Sequence, residues 1–576
     1  METLTLEKET IVKTKLTGSE AVIKSLIAED VETIFGYPGG AIMPIYDALY
    51  GYEDQLKHVL VRHEQGATHA AEGYARISNK TGVCFATSGP GATNLVTGLA
   101  DAMIDSTPMV CITGQVPSHL FGTDAFQETD IIGISSPVTK WSYQVTKAEE
   151  IPDAIAKAFY IANTGRPGPV VIDITKNAQF EEFDFDYKKC TRIRSYRPTP
   201  KLNMEQVEAA VEAINGAKKP YILTGHGVHL SEATEELMAF AEKAGIPVAS
   251  TILGLSSFPN HHRLYAGMLG MHGNYGPNIK TNECDVLIAI GMRFDDRVTG
   301  DLDNYAKQAK VVHIELDYSE INKNVHAHYP IHADAKQALT AMLPLLKEAK
   351  HDSWLQEFKD ADKKEFEEVQ DAELNSTSEG LNMAEVIRRI SNLSGGNLVL
   401  TTDVGQHQMV ACRYYQFNEK NVNSNITSGG LGTMGFALPA AIGAKFARPD
   451  QQVIAVIGDG GFQMNIQELG TIMQEGLDVK ILILNNNFLG MVRQWQELFF
   501  DKRYASTTMT NPDFITIAKG YGITGKTVDS RDNLDASLEE FLNHKGSYLL
   551  EVMVEKEGNV FPMMPTGASV SEVRLS

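Results

Sequence analysis

The stretch QVIAVIGDGGFQMNIQELGTIMQEGLDVKILILNNN, residues 452–487, decides the fold of this chain. Two apolar, β-branched runs flank a segment with helical spacing of its apolar residues, which predicts a strand, a helix and a second parallel strand. Runs that are apolar on both faces are typical of the buried strands of a parallel sheet covered by helices. The stretch therefore predicts a doubly wound α/β fold.

Polar residues follow both of these strands. Asp459 stands between Gly458 and Gly460 after the first strand, and Asn486 lies in the asparagine run after the second. Because the carboxyl ends of neighbouring parallel strands meet at one edge of a sheet, a carboxylate and an amide oxygen come together there. Such oxygens suit Mg²⁺, and a metal with glycine amides at a helix start can hold a diphosphate. A lone GDG is more often a turn, so the prediction depends on the second strand and its asparagines.

The same alternation of strands and helical segments continues through the chain. Further strand-like runs are GVCFATSG, PMVCITG, PVVIDIT, PYILTG, DVLIAIG and KVVHIEL. At 576 residues the chain is too long for one ordinary core. We predict α/β domains over residues 14–180, 198–345 and 378–560, followed by a C-terminal arm over 561–576.

Two charged stretches without apolar periodicity, 181–200 and 350–380, are interpreted as connectors between these domains. The first half of the second connector is expected to be helical. The apolar residues with near-helical spacing there are Trp354, Phe358, Phe366 and Val369.

Composition restricts the class of protein. The chain has 51 basic and 73 acidic residues, a net charge of −22, which disfavours nucleic-acid binding. Its five cysteines lack a CxxC pair and fit reduced thiols, with Cys84 and Cys111 in apolar runs typical of buried strands. The N-terminus METLTLEKET has no features of a secretory signal, and apolar runs stop short of the ~20 residues that span a bilayer. We predict a cytoplasmic protein without a membrane segment.

The GDG…NN spacing resembles the thiamine-diphosphate signature, and other motifs resemble one family that carries it. These motifs are YPGGAIMPIYDAL (37–49), SGPGATNLVTGLADA (88–102), GTDAFQETD (122–130), GRPGPVVIDITKN (165–177), GMRFDDRVTG (291–300), TSGGLGTMGFALPAAIG (427–443) and GMVRQWQ (490–496). From about residue 15 to the C-terminus, the chain resembles the catalytic subunits of acetohydroxyacid synthases. The resemblance implies three doubly wound parallel-sheet domains of the thiamine-diphosphate-binding type, the central one a FAD-binding Rossmann-like domain.

The resemblance also implies an activity. Members of this family decarboxylate pyruvate on thiamine diphosphate and transfer the two-carbon unit to a second keto acid. With pyruvate the product is 2-acetolactate, and with 2-ketobutyrate it is 2-aceto-2-hydroxybutyrate, at the first common step of branched-chain amino acid biosynthesis. The cofactors would be thiamine diphosphate, Mg²⁺ and a structural FAD.

Thiamine enzymes need a carboxylate against the pyrimidine ring, and Glu64 is the candidate. It follows the run HVLVRH and begins a small-residue helix. A Glu hydrogen-bonded to the pyrimidine promotes removal of the thiazolium C2 proton. The alternative is a helix-start carboxylate favoured by the helix dipole. Beside the GDG…NN pair the catalytic interpretation is favoured, whereas Glu72 is expected to be structural.

The resemblance assigns further residues to the cofactor. They are Gln406, His407, Gly458 and Gly460 at the diphosphate, and Asp459, Asn486 and Phe488 at the metal. A histidine at a strand end is more often a cap, so the role of His407 depends on the family. Met434 would be the apolar wedge that holds the cofactor bent; core filling is an equally weighted alternative.

Gly40, Phe126 and Gln127 would lie beside the reacting carbons. The Gln127 amide could hydrogen-bond an oxyanion, although a loop Gln is more commonly satisfied by its surroundings. Lys176 and Met271 would line the entrance for the second keto acid.

Recognition of the second keto acid needs a cation and an apolar wall. Arg293 offers a bidentate fork for the carboxylate. Trp495 offers a flat surface for the alkyl group; the alternative is a buried packing residue, which its polar sequence neighbours disfavour.

The central domain is expected to bind FAD, although the reaction has no net redox step. The motif TGHGV alone is a weak dinucleotide signal. The family pattern is matched well over 272–293 and more loosely over 315–334. The residues implied are Arg166, His272, Gly291, Arg293, Glu315 and Asp334.

Partners follow from the same resemblance. Glu64 and Asp459 fall in different predicted domains, and the family builds each site from two subunits, so a homodimer is the expected minimum and a higher homo-oligomer is possible. The C-terminal arm is expected to fold over the site as a lid. A separate small regulatory subunit is expected, because the chain has no spare block for an amino-acid effector site.

Two other functions stay open at this point. One is a thiamine and FAD enzyme of the pyruvate oxidase type, which the set of Gln127, Arg293 and Trp495 disfavours. The other is an inactive cofactor-binding paralogue, which the presence of Glu64 and Asp459 disfavours.

Overall fold

The computed structural model describes residues 14–576, and three six-stranded sheets form its centre. Every strand pairing within these sheets is parallel. The α/β fold class expected from the sequence is confirmed. The N-terminal segment METLTLEKET, expected not to be a secretory signal, lies outside the described residues. Within residues 14–576 no helix is both long and apolar enough to cross a membrane.

The N-terminal sheet has the strand order β3-β2-β4-β5-β7-β6. The strands of this part of the chain are β1 (Thr14–Thr17), β2 (Thr33–Gly36), β3 (Lys57–Leu60), β4 (Gly82–Ala86), β5 (Met109–Gln115), β6 (Trp141–Val145), β7 (Pro169–Thr175) and β8 (Glu182–Phe185). Its helices are α1 (Gly18–Ala28), α2 (Met43–Leu49), α3 (Glu64–Ser78), α4 (Pro90–Thr93), α5 (Val96–Asp105), α6 (Ile131–Ser135), α7 (Ile151–Asn163) and α8 (Lys176–Phe180). Cys84 and Cys111 are buried on adjacent strands, as predicted.

The first connector is not devoid of structure, which corrects the sequence interpretation. Residues 182–185 form β8, which pairs antiparallel with β1 outside the main sheet. Phe183 and Phe185 alternate with two acidic residues and pack against the N-terminal core. This period-2 alternation is the signal that predicts a half-buried strand.

The central sheet has the order β11-β10-β9-β12-β13-β14, the 3-2-1-4-5-6 arrangement of a doubly wound dinucleotide-binding fold. Its strands are β9 (Pro220–Thr224), β10 (Val248–Ser250), β11 (Tyr265–Met268), β12 (Val286–Ile290), β13 (Lys310–Glu315) and β14 (Tyr329–His332). Its helices are α9 (Met204–Asn215), α10 (His226–Leu230), α11 (Thr234–Ala244), α12 (Tyr275–Thr281), α13 (Asp296–Thr299) and α14 (Ala335–Met342). The strand order reverses between β9 and β12, where this fold binds ligands.

The second connector is helical in its first half, as predicted. Helix α15 (Asp352–Glu365) continues through a π-helical stretch, Phe366–Gln370, into α16 (Asp371–Leu374). Trp354 and Phe358 are fully buried, whereas Phe366 is 43% exposed although it shares their near-helical spacing. The π-helical hydrogen bonds widen the turn at Phe366 and shift the positions that follow it around the axis.

The C-terminal sheet has the order β16-β15-β17-β18-β20-β19. Its strands are β15 (Val399–Thr402), β16 (Asn425–Thr427), β17 (Val453–Gly458), β18 (Val479–Asn485), β19 (Thr524–Val528) and β20 (Tyr548–Met553). Its helices are α17 (Met383–Ser394), α18 (Gln406–Tyr414), α19 (Ala437–Ala447), α20 (Asp459–Met464), α21 (Leu469–Glu475), α22 (Gly490–Phe499), α23 (Phe514–Gly520) and α24 (Leu534–Asn543). Helix α19 packs closely on α3, and one hydrophobic core continues from the N-terminal sheet to the C-terminal one.

Candidate functional site

The stretch that decides the fold forms the two parallel strands that were predicted, but the single predicted helix is divided into α20 and α21 by a 3-10 turn at Ile466–Glu468. Strand β17 pairs in parallel with β18, so Asp459 and Asn486 emerge at the same edge of the sheet. Both side chains are buried. Phe488 lies two residues beyond Asn486, and its backbone N–H donates to the Asn486 Oδ1 at 3.1 Å. A carboxylate and amide oxygens thus converge where an Mg²⁺ site was predicted.

The sequence analysis missed Asn511, which orders this edge. Its side-chain nitrogen donates to the Asp459 Oδ2 at 2.7 Å, and also to the side-chain oxygens of Asn485 and Asn487. Burial raises the pKa of Asp459 to about 6, while the hydrogen bond from Asn511 lowers it. No motif in the sequence marks Asn511, because it lies in an irregular segment before α23.

A narrow cavity of 50 Å³ lies in front of these strand ends. The predicted residues in its lining are Gln406, His407, Met434, Gly458, Asp459, Gly460, Asn486 and Phe488. Both glycines of this lining have close neighbours on the side where a Cβ would stand. A Cβ on Gly458 would lie 2.9 Å from the His407 ring, and one on Gly460 would lie 2.7 Å from Leu489.

The lining of this cavity fits a diphosphate bound through a metal. Burial lowers the pKa of His407 to about 3, so its ring is neutral. Among residues 14–576, no hydrogen-bond partner reaches the buried His407 Nε2. The cavity thus offers an unpaired polar atom and helix-start glycines for a diphosphate, and a buried carboxylate for the metal ion.

Met434 borders both this cavity and a larger one beside it. It is half-buried, and the following residue, Gly435, has φ of +91°. The Asp403 carboxylate accepts the Gly435 backbone N–H, with both oxygens at 3.0 Å. Met434 is therefore held at the cavity wall and not inside the apolar core, which favours the wedge interpretation over core filling.

Glu64 is the first residue of α3 and is almost fully buried. Its Oε2 accepts a hydrogen bond from the Asn94 side chain at 2.9 Å. Glu64 lines neither cavity. Within one chain the carboxylate is thus separate from the Asp459 edge, an arrangement consistent with the prediction that each site draws on two subunits.

Four further candidates of the N-terminal domain, Gly40, Phe126, Gln127 and Lys176, also lie outside both cavities. Lys176 donates to the Gly40 carbonyl oxygen at 3.0 Å, and a Cβ at Gly40 would meet open space. Gln127 has φ of +60° and contacts Gly89, whereas Phe126 is 87% exposed. These four residues lie on the N-terminal domain, and the structure does not bring them to Asp459 in a single chain.

The larger cavity, of 1070 Å³, opens at the carboxyl ends of β9 and β12. This is the position where the strand order of the central sheet reverses. The loops after the two strands touch there, since Gly227 N–H donates to the Gly291 carbonyl oxygen at 2.9 Å. A cavity of this volume exceeds what most small ligands need and is large enough for a dinucleotide.

The residues predicted for FAD line this cavity. They are Arg166, His272, Gly291, Arg293, Glu315 and Asp334. Burial raises the pKa of Glu315 to about 7 and lowers that of His272 to about 3. The buried His272 Nδ1 has no partner within residues 14–576. A large cavity lined by charged, polar and apolar groups fits a dinucleotide, and His226 of the TGHGV motif lies on the same wall.

Arg293, Met271 and Trp495 all line the larger cavity, as the predicted pocket for the second substrate requires. Trp495 also contacts Phe499 with the two rings tilted by 35° and their centroids 4.9 Å apart, and it packs against the central core. Trp495 therefore has both a pocket face and a packing face.

The C-terminal arm folds back over α22. Just before the arm begins, the Gln494 side chain of α22 donates to the Val560 carbonyl oxygen and accepts from the Val560 backbone N–H. The backbone N–H of Met564 donates to the Met271 carbonyl oxygen at 2.7 Å. The arm thus covers the helix that carries Trp495, in agreement with a role as a lid.

Models of known protein families match the chain in the regions of all three sheets. Models described as thiamine pyrophosphate enzyme match residues 16–134 (N-terminal TPP binding domain), 207–342 (central domain) and 403–552 (C-terminal TPP binding domain). The acetolactate synthase large subunit of Haemophilus influenzae is 44% identical over 573 residues, 98% of each chain.

Two further relatives agree. The acetolactate synthase isozyme 2 large subunit of Escherichia coli is 45% identical over 563 residues, 97% of this chain and 99% of that one. The probable acetolactate synthase large subunit of Methanocaldococcus jannaschii is 45% identical over 565 residues, 96% of this chain and 95% of that one. The chain belongs to the acetolactate synthase large-subunit family.

Membership of the acetolactate synthase family confirms the resemblance drawn from the motifs, and with it thiamine pyrophosphate (thiamine diphosphate) as the cofactor. Mg²⁺ and FAD are typical of the same family. The donor sets of the two cavities fit these groups.

Proposed function

We propose that this chain is the catalytic component of an acetolactate synthase. It decarboxylates pyruvate and joins the two-carbon unit to pyruvate or 2-ketobutyrate, giving 2-acetolactate or 2-aceto-2-hydroxybutyrate. One observation supports this most strongly: Asp459 and Asn486 leave adjacent strands beside a glycine-lined cavity that Met434 borders. This arrangement combines a metal site with a place for a diphosphate.

The chain's own residues would hold the cofactor as follows. Mg²⁺ would bind the Asp459 carboxylate, the Asn486 amide oxygen and the backbone carbonyl of Phe488, the only oxygen that residue has. Gln406 and His407 would contact the diphosphate. When bound, thiamine diphosphate supplies an electron sink for the electron pair released as CO₂ leaves.

Glu64 would hold a proton at the pyrimidine edge of the cofactor. Its burial and its hydrogen bond from Asn94 keep the carboxyl group in one orientation. A positioned acid or base of this kind typically contributes a factor of ~10²–10⁴ to a rate. The Gln127 amide would donate a hydrogen bond to an oxyanion, and Gly40 leaves room for the reacting carbons.

The second keto acid would bind in the larger cavity, beyond Met434. The Arg293 guanidinium would hold its carboxylate, and the pocket face of Trp495 would contact its alkyl group. One extra methylene contributes about 1–3 kcal/mol to such a contact, which is enough for a preference between ethyl and methyl. FAD would occupy the rest of this cavity in a structural role.

Several broader predictions belong to the same proposal. The name "large subunit" on the relatives supports a smaller partner that regulates this chain. We also propose a homodimer or larger homo-oligomer, a cytoplasmic location, and the domain division at 14–180, 198–345, 378–560 and 561–576. The separation of Glu64 from the Asp459 cavity supports a dimer, because two chains are then needed to complete one site.

The test uses Glu64→Gln, which keeps the size of the side chain and removes its acidity. We expect turnover to fall by about 10²–10⁴-fold while thiamine diphosphate still binds. The matched control is Glu20→Gln, a helix-start carboxylate of α1 that caps its own helix and lies in neither cavity. Near-normal turnover in Glu64→Gln would exclude the role assigned to Glu64.

Complementation tests the shared site. Glu64→Gln and Asp459→Asn chains, each nearly inactive alone, are unfolded and refolded together. If one site takes Glu64 from one chain and Asp459 from the other, random pairing yields one intact site in half of the dimers. Recovery of about a quarter of the wild-type activity is expected. Absence of any recovery, with mixed dimers present, would refute sharing.

A further inference from the structure

A buried cluster of charged residues to which no role has been assigned borders the larger cavity, and Asp105 of the cluster is part of the cavity lining. The cluster joins α3 and α5 of the N-terminal domain to residues 428–436, the loop between β16 and α19 that carries Met434. We name this segment the Met434 loop. We propose that Asp101 and Asp105 of α5 are positioning residues that hold the Met434 loop and thereby place Met434 for the reaction. This inference rests on the proposed function.

Asp105 clamps the start of the loop. Its Oδ2 accepts the Gly429 backbone N–H at 2.8 Å, and its Oδ1 accepts the Gly430 N–H at 2.7 Å. One carboxylate from a helix of another domain therefore binds two successive loop amides. Charge-assisted hydrogen bonds of this type are stronger than neutral ones, and a pair of them fixes orientation as well as distance.

Asp101 acts one helical turn earlier, through Ser428. The Ser428 hydroxyl donates to the Asp101 Oδ1 at 3.0 Å and accepts the Thr433 backbone N–H at 2.9 Å. Thr433 is the neighbour of Met434 in the chain. The hydroxyl thus closes the loop on itself and fastens it to α5. The side chains of Asp101, Ser428 and Thr433 are all buried, so water does not compete for these hydrogen bonds.

The cluster contains its own counter-charge. The Arg76 guanidinium donates to the Asp105 Oδ2 at 2.9 Å, to the Glu72 carboxylate and to the Thr427 carbonyl oxygen at the entrance of the loop. The His69 ring bonds Glu72 at 3.0 Å on the other side. Three buried carboxylates with one arginine are costly to maintain as an ordinary core. The hydrogen bonds of Asp101 and Asp105 are directed at the Met434 loop, which supports a positioning role for these two residues.

The far end of the loop is fixed within its own domain, since the Asp403 carboxylate accepts the Gly435 and Ala437 backbone N–H groups at 3.0 Å. Met434 lies between this anchor and the one on α5. Loss of the α5 anchor would leave Met434 attached at one end only. A displacement of about 1 Å at a reacting centre can reduce a rate about 10²-fold.

The test compares Asp105→Asn and Ser428→Ala with wild type, at saturating thiamine diphosphate and Mg²⁺. Both variants are expected to lower kcat by about 10–100-fold and to change the KM for pyruvate by less than about threefold. Ser428→Thr, which keeps the hydroxyl, should restore most of the kcat of Ser428→Ala. The matched control is Ser391→Ala, because the Ser391 hydroxyl also accepts a backbone N–H in the same domain but lies away from the loop.

Hydrogen exchange of the amides in residues 428–436 provides a readout that needs no turnover. Exchange at Gly429 and Gly430 should be faster in Asp105→Asn than in wild type. Unchanged exchange would overturn the clamp, and unchanged kcat in Ser428→Ala would overturn its link to catalysis. If Asp105→Asn does not fold, the kcat and the hydrogen exchange of Ser428→Ala decide whether the contact with α5 places the loop. A wild-type chain that forms no acetolactate would refute the proposed function, whereas the exchange result would still decide whether α5 holds the loop.

Discussion

Replacement of Gly460 by Ala should weaken cofactor binding while leaving the fold intact. Gly460 is the second residue of α20, at the edge of the cavity assigned to the diphosphate. A Cβ added there would lie 2.7 Å from Leu489 Cδ2 and 3.8 Å from Met434 Cε. The Leu489 contact is the end of a flexible side chain, and Ala is favoured over Gly in a helix by about 0.5–1 kcal/mol. Gly460→Ala should therefore fold with a thermal midpoint close to that of wild type.

Binding should respond differently, because the new methyl group occupies space on the ligand side of the helix. Overfilling a packed site typically costs about 1–3 kcal/mol, which corresponds to an affinity loss of about 5–150-fold. Calorimetric titration of the chain with thiamine diphosphate at saturating Mg²⁺ measures this directly. Gly520→Ala is the matched control, since it changes a helical glycine of the same domain with open space at its Cβ. Equal affinities of Gly460→Ala and wild type would refute the placement of the diphosphate at α20.

Three other predictions concern specificity, pH and regulation. Trp495→Leu should erode the preference for 2-ketobutyrate while acetolactate formation persists; an unchanged product ratio in a competition assay would assign Trp495 to packing alone. Burial, then the charge of Asp105, raises the pKa of Asp101 from 3.8 to about 7, against the lowering effect of Arg76. Stability from this group is therefore present below pH 3.8 and is lost as the pH rises through about 7. The free energy of unfolding of wild type should fall by about 1.4 kcal/mol per pH unit between pH 5 and 7 relative to that of Asp101→Asn. The same difference between the two proteins at pH 5 and at pH 7 would contradict this. The isolated chain should be weakly active and insensitive to valine, so strong inhibition in a valine titration without a partner would place the effector site in this chain.

The fold was predictable because its strands are apolar on both faces. The runs that end at Gly458 and Asn485 are fully buried strands in the structure, and the polar residues after them meet at one edge. Sequence reasoning failed where the regular spacing of apolar residues covers only a few positions or is interrupted. Strand β8 has only four residues, and the π-helical turn at Phe366 breaks the helical spacing that the prediction assumed.

The site was predictable where residue chemistry follows strand ends, and not where contacts are distant in sequence. Asn511 contacts Asp459 from an irregular segment, and Asp105 contacts Gly430 across 325 positions. Neither pair has a local pattern, because the fold alone brings them together. The resemblance supplied Glu64 and Gln127, but one chain does not place them at the Asp459 cavity, and a second chain is needed to test their roles.

The most direct test of the central proposal is to identify the product. The purified chain is incubated with ¹³C-labelled pyruvate, thiamine diphosphate, Mg²⁺ and FAD, and the products are followed by NMR together with released CO₂. We predict 2-acetolactate with one CO₂ for every two pyruvates, no need for an external electron acceptor, and no product when thiamine diphosphate is omitted. Acetate or acetyl phosphate formed only with an electron acceptor, or no consumption of pyruvate, would contradict the proposal.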